Sequence, residues 1–259
     1  MQLTDKGSSE QFTVLPNLPE NRVTLCAAAN SSAGVIQSLV SLGIEVITPK
    51  PSEVLPKSTA SHADMLMLHT GGSTVIVEST EKELIADLRA HGFTVTESRK
   101  SFEGSYPGDV ILNHLLCGRY MFGRIASADS TALEYARENG LTCVNVHQGY
   151  AKCSAMAVDS TSIISDDDTI CTNAAKQGFD VLKIEKGDIL LSGADYGFIG
   201  GCCGKLSGDI IAFTGKLVYH HSCDRILSFM RNRGVYPEYL TNGKLTDIGG
   251  ILPLKEAKQ

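Results

Sequence analysis

Basic residues are scarce in this chain, and no long apolar run occurs in it. Its 23 lysines and arginines are outnumbered by 29 aspartates and glutamates, for a net charge of -6. No five-residue basic cluster occurs, so the concentrated cationic surface that nucleic acid requires is missing. No apolar run approaches the roughly 18 residues of a membrane span. The opening Met1-Gln2-Leu3-Thr4-Asp5-Lys6 has no basic stretch followed by an apolar one. No secretory signal is therefore expected, and the eight cysteines read as reduced thiols of a cytoplasmic protein. No Gly-x-Gly-x-x-Gly fingerprint opens a helix, which counts against an ordinary doubly wound domain. What is present is 259 residues with 42% in the hydrophobic set, enough for a real core.

The positive signal is a repeat. A glycine closes a short amphipathic helix and an apolar-x-apolar strand start follows it. The pattern occurs at Gly43-Ile44-Glu45-Val46, Gly92-Phe93-Thr94-Val95, Gly140-Leu141-Thr142-Cys143, Gly178-Phe179-Asp180-Val181 and Gly234-Val235-Tyr236. A residue just past a helix often takes the left-handed conformation, which glycine adopts without the cost of a side chain. Capping-box spacing at Thr80/Glu83 and Thr131/Glu134, and Asp167 or Asp168 further on, predicts the helix starts. Strand-like runs precede the helices at Val23–Cys26, Thr74–Val77, Tyr120–Phe122, Ser162–Ile164 and Ile210–Phe213.

A third strand is expected at Ala63-Asp64-Met65, Gly108-Asp109-Val110, Ala151-Lys152-Cys153, Ala194-Asp195-Tyr196 and Thr246-Asp247-Ile248. The unit recurs about every 47 residues. The expected organisation is a lead-in over 1–21 and one α/β domain over 22–256. Its five units run over about 22–70, 71–118, 119–160, 161–208 and 209–256. Five such units can close around an axis as a propeller, with one position per unit converging on the centre. Asp64, Asp109, Lys152, Asp195 and Asp247 then form a charged ring that must share protons, hold water or bind a cation.

Three stretches carry a family resemblance. Pro107-Gly108-Asp109-Val110, Gly118-Arg119-Tyr120-Met121-Phe122-Gly123 and His62-Ala63-Asp64-Met65 resemble segments of the pentein, or guanidino-group-modifying-enzyme, fold. That group holds arginine deiminases, dimethylarginine dimethylaminohydrolases, amidinotransferases and agmatine deiminases, together with a non-enzymatic ribosome anti-association factor. The chain is similar to a bacterial branch of it. The resemblance implies that Asp109 holds a guanidinium and that Arg119 meets a substrate carboxylate. It also implies that His69 lies where an additional binding group lines the pocket. Carboxylate and guanidinium suit each other because two oxygens match paired N–H donors.

The departures bear on chemistry. The family's nucleophilic cysteine corresponds to Asp247 in Leu245-Thr246-Asp247-Ile248, and its acid/base histidine corresponds to Tyr150. A thiolate attacks the guanidinium carbon and histidine protonates the leaving amine, so cysteine-dependent amidine hydrolysis is not expected.

Other groups have structural readings. Strand alternation after Lys152 points Cys153 away from the axis, as a core thiol, with a relocated nucleophile as the alternative. Cys202-Cys203 in a glycine-rich turn suggests close backbone packing. His220, His221 and Cys223 lack the paired spacing of a zinc site, and Asp166-Asp167-Asp168 reads as a helix start. No metal or cofactor is expected.

The expected function is binding of a small guanidino or amino compound in an acidic central pocket. Asp64, His69, Asp109, Arg119, Lys152, Asp195 and Asp247 are the ligand-binding candidates. Asp247, Tyr150 and Lys152 are the candidates for any proton transfer. The contrasting expectation is a non-catalytic protein- or ribosome-binding scaffold. A further one is an amidinohydrolase or amidinotransferase with a relocated nucleophile.

Overall fold

Five short sheets, each with its own helix, make up the computed structural model of the protein, which describes residues 9–30 and 33–258. Four blades share one order. In blade II, Met67–Gly71 pairs antiparallel with Thr74–Val77, the helix Lys82–Ala90 crosses over, and Thr94–Glu97 pairs parallel with the middle strand. Blade III repeats this with Leu115–Cys117, Tyr120–Gly123, helix Ser130–Glu138 and Thr142–Asn145. Blade IV uses Ala155–Asp159, Ser162–Ser165, helix Asp168–Lys176 and Asp180–Lys183. Blade V uses Cys203–Lys205, Ile210–Phe213, helix Cys223–Arg231 and Tyr236–Tyr239. The helix is required because adjacent parallel strands need a crossover connection.

Blade I closes the ring. Its middle strand Val23–Ala28 pairs parallel with Glu45–Ile47 after the helix Ala33–Ser41, but its inner strand is the C-terminal Ile251–Ala257. Glu10–Phe12 pairs with that strand on the side away from Val23–Ala28. Part of the expected loose lead-in is therefore a strand, while its residues 1–8 lie outside the described residues.

Burial falls from the axis outwards. The inner strand Leu115–Cys117 is buried throughout, whereas the outer strands Thr94–Glu97 and Tyr236–Tyr239 alternate exposed and half-buried residues. Middle strands such as Thr74–Val77 and Ile210–Phe213 are almost wholly buried, with sheet neighbours on both sides and helices above. Among the described residues no helix is long and apolar enough to cross a membrane.

The glycines after the five helices, Gly43, Gly92, Gly140, Gly178 and Gly234, all have positive φ. Asp167 caps its helix, accepting from Thr169 N and Ile170 N. Two other caps differ from expectation. Asp129, not Thr131, caps the third-blade helix, and its second oxygen accepts from Arg99 N and Lys100 N of the preceding blade. At the Thr80 start the buried Glu78 accepts from Thr80 N, and no side chain caps the helix itself. Only Asp129 satisfies a free first-turn N–H, whereas Glu78 holds the turn that precedes its helix.

The expected third strands are the main correction. Ala63–Leu66 and Ala151–Ser154 are single helical turns, and the segments at Asp109, Asp195 and Asp247 are turns or irregular chain. In every case the true inner strand begins a few residues later. The ring positions thus sit on the connections leading into the inner strands, at one end of the molecule.

His114 follows this layout in blade III. Its Nε2 donates to Ile111 O at 3.1 Å, and Gly123 leaves room for the ring. Burial pushes its imidazole from 6.5 down to about 4, against the bond to Ile111. Between those values the unfolded chain binds a proton that the folded chain refuses. His114 therefore makes stability fall as pH drops from about 6.5 to about 4. A His114→Gln variant keeps a donor for Ile111 O and should lose stability less steeply there, by up to about 1.4 kcal/mol per pH unit. Urea unfolding across that window measures both slopes. Buried Asp64 and Asp166 shift in the opposite sense, so the difference between the two proteins is the informative quantity. Parallel slopes would show that His114 titrates alike in both states.

Candidate functional site

A cavity of about 290 Å³ opens where these connections meet. Its polar wall holds His62, Tyr150, Cys153, Asp195 and Asp247, and its apolar wall is formed by Leu191, Tyr196 and Phe198. Tyr150 and Phe198 stack with ring centroids 6.2 Å apart, and Tyr196 meets Phe198 edge-on at 5.8 Å.

Glycines permit this closeness. A side chain at Gly197 or Gly201 would collide with Asp247, and one at Gly200 would strike the Lys152 and Ala155 carbonyls. Gly249 has φ +74° and lies against His62, so it is required twice, by conformation and by contact. The turn carrying Cys202-Cys203 is therefore the tight backbone approach its sequence implied, with both thiols buried.

The ring residues are held by specific partners. Asp247 accepts from Phe198 N at 2.9 Å and from Gly249 N at 3.0 Å, and its Oδ1 lies 3.8 Å from His62 Nδ1. Asp109 accepts from the Tyr150 hydroxyl at 2.6 Å, while its other oxygen is buried with no partner. Asp64 accepts from the Cys153 thiol at 2.9 Å. Lys152 reaches the Gly200 carbonyl at 3.4 Å.

Asn113 joins two blades behind the cavity. Its Oδ1 accepts from Lys152 N at 2.9 Å and Cys153 N at 3.3 Å, satisfying the first donors of that helical turn. Its Nδ2 lies 3.1 Å from Asp64 O and 3.2 Å from Cys153 Sγ.

Burial sets the charge states. It raises the Asp64 carboxyl to about 7, with Lys152 opposing and Asp247 reinforcing the shift. Burial, then the neighbouring Asp64 and Asp247 carboxylates, push the Cys153 thiol well up. Tyr150 is raised by burial and by its bond to Asp109, so it stays a proton donor. Burial lowers His62, with Asp247 opposing. At neutral pH the Cys153 thiol and the Tyr150 hydroxyl therefore keep their protons, beside a neutral His62 imidazole.

The profile of a family of unknown function, DUF6873, matches residues 27–252. The chain belongs to that family. No curated protein matches it. Solved structures do match at low identity. The inosamine-phosphate amidinotransferase StrB1 of Streptomyces griseus is 12% identical with a TM-score of 0.57, over 96% of this chain and 98% of its own. DDAH of Pseudomonas aeruginosa, solved with citrulline, is 12% identical at TM-score 0.55, over 92% and 100%. A Campylobacter jejuni ("C. Jejuni") agmatine deiminase with substrate bound is 9% identical at 0.56, over 100% and 99%. These are penteins, and this DUF6873 chain has the pentein fold, a five-bladed α/β propeller.

Within the DUF6873 protein the expected site residues divide into three groups. Tyr150, Asp195 and Asp247 line the cavity. Asp109 and Asp64 stand one hydrogen bond behind it, through Tyr150 and Cys153, and Lys152 lies deeper, in the walls of two voids of about 20 Å³ each. His69 and Arg119 fall outside. His69 is buried with Nε2 on Gly72 O and its ring edge-on to Phe93, in the wall of one of those small voids. Arg119 is exposed in the hairpin turn after Gly118, over the Tyr120 ring. Asp195 is exposed, so the ring is desolvated on one side only.

Cys153 points into the cavity, contrary to the strand-alternation expectation. The reason is the helical turn: successive side chains there differ by about 100° rather than 180°, so Lys152 and Cys153 both face inwards. His220, His221 and Cys223 form no joint site, since His220 accepts from Ser222 N and His221 pairs with Asp188. Sequence reasoning missed Asn113. Its signal was a single amide inside the apolar run Val110–Cys117.

Proposed function

We propose that this protein binds a small cation bearing a guanidino or amino group, in the cavity between Asp195, Asp247 and the aromatic wall. The observation that carries the reading is this convergence of two carboxylates with Tyr150, Tyr196 and Phe198 around about 290 Å³. Carboxylates give a guanidinium charge-assisted bonds, and aromatic faces attract the same charge. The volume lies at the small end of the roughly 300–1,000 Å³ typical of ligand pockets. The unpartnered Asp109 oxygen behind Tyr150 offers a further acceptor to a ligand rich in N–H groups. The solved pentein complex with citrulline is consistent with a compound of that size.

In this reading Asp247 and Tyr150 bind the ligand, and Lys152 orders the pocket from behind, rather than turn the ligand over. Asp247 replaces the thiol that amidine hydrolysis uses, and Tyr150 holds its proton for Asp109. The reading is of a cytoplasmic protein that binds a small molecule.

Thermal unfolding with arginine, agmatine, methylated arginines, citrulline and polyamines tests the reading. A ligand at 100 times its Kd should stabilise the wild type by about 2.7 kcal/mol. Asp195→Asn removes an exposed charge and should weaken binding about tenfold, as expected for one charge-assisted bond. Silence of the wild type toward every guanidino and amino compound would sink the cation reading and favour a partner-binding scaffold.

A further inference from the structure

We infer that His62, Asp64 and Cys153 form a binding site for a zinc-class divalent transition-metal ion at the floor of the cavity. One ligand atom from each residue lies within 4.8 Å of the other two, and all three residues are buried. Among the described residues no other cluster of this kind occurs. Imidazole nitrogen, carboxylate oxygen and thiolate sulfur are the donors that zinc takes at about 2.0–2.3 Å. Tetrahedral placement at such lengths separates ligand atoms by roughly 3.3–3.8 Å. The Cys153–Asp64 contact of 2.9 Å therefore needs to open by less than an ångström.

A second observation points to a missing partner. His62 Nδ1 and Asp64 Oδ1 are buried without a hydrogen bond, in residues only 2% exposed. Buried polar atoms are rarely left so, and here two from the same cluster are.

The ion has a route and an open position. His62 and Cys153 line the cavity while Asp64 approaches from behind, so three protein ligands leave a fourth position facing the cavity. That is the arrangement of catalytic rather than structural zinc, in which water or a ligand atom completes the tetrahedron. On binding, the Cys153 S–H proton and any proton held by the Asp64 carboxyl leave to water, and sulfur coordinates as thiolate beside the carboxylate. One divalent ion with one thiolate and one carboxylate is then neutral overall, so the buried charge is compensated.

The supporting groups are already in place. Asn113 Nδ2, 3.2 Å from Cys153 Sγ, is placed to donate to the thiolate, and Asp247 stands beside the His62 ring. Such outer partners orient ligands and raise affinity. Asp195 and Asp247 are not ligands, so the site does not depend on the cation reading.

The test is zinc retention by the dialysed full chain, with Co2+ as a spectroscopic probe and no guanidino compound present. The wild type should retain one equivalent of zinc, and its Co2+ form should show a near-ultraviolet thiolate-to-metal band. Cys153→Ser should abolish the band and weaken zinc binding at least 100-fold, the upper end of what even an outer partner costs. His62→Gln should weaken zinc binding comparably while a band persists in excess Co2+. Cys143→Ser removes an exposed thiol and should change neither reading. Circular dichroism checks that each variant is folded. Absence of zinc from the wild type, equal retention by Cys153→Ser, or loss of the band in Cys143→Ser would each overturn the site.

Discussion

A chain that stops at Gly250 is expected to show no cooperative unfolding transition. The missing segment is the inner strand of the first blade. It carries Ile251, Leu252 and Leu254, which are 1%, 5% and 0% exposed. Burying such side chains contributes about 1.5–3 kcal/mol each, or roughly 5–9 kcal/mol together. A domain of this kind is stable by only about 5–15 kcal/mol. The loss also strips Val23–Ala28 of its antiparallel neighbour and leaves Glu10–Phe12 unpaired. Glu256, which accepts from Asn21 N, goes with it.

The structural reason is closure. The ring joins its end to its beginning through this strand, so removing it exposes a sheet edge and an apolar interior at once. A chain ending at Ala257 keeps the whole strand and should melt like the wild type. Far-ultraviolet circular dichroism during heating, with limited proteolysis, separates the two. A cooperative melt of the Gly250-terminated chain near the wild-type temperature would refute the closure argument.

Asn113→Ala is expected to cost about 3–5 kcal/mol, which lowers Tm by roughly 10 °C for a chain of this length. The amide is fully buried and bridges two connections that are distant in sequence. Without it Lys152 N and Cys153 N lose their acceptor, and Asp64 O loses its donor. Each orphaned buried group costs about 1–3 kcal/mol, moderated by the long 3.3 Å bond to Cys153 N. A void remains as well. Differential scanning calorimetry gives the shift directly. A Tm within about 2 °C of the wild type would mean that these backbone groups have other partners.

The elements legible in the sequence were those whose pattern repeats locally. Middle strands such as Thr74–Val77 and Ile210–Phe213 stood out as apolar runs, and each helix end announced itself by a glycine that now has positive φ. The inner strands were displaced by a few residues. Ala63-Asp64-Met65 reads apolar-polar-apolar, which suits a strand, yet it is part of a four-residue helical turn. So short a segment has too few positions to tell period two from period 3.6. The same ambiguity sent Cys153 to the wrong face. Arg119 matched a motif by its neighbours, but a hairpin turn holds it out in solvent.

By itself the sequence determined five α/β units, their helix boundaries at glycine, and one charged or polar position on each connection. Those features depend on local conformational preference and on apolar spacing, which neighbouring residues carry. Only the tertiary structure decided that the last strand completes the first blade, because pairing across the whole chain leaves no local mark. It alone decided that Asp64, Cys153 and His62 share one floor while Asp195 meets solvent. It also decided the charge of these groups. Desolvation and neighbouring charge are sums over atoms brought together from distant segments, and no window of sequence contains them.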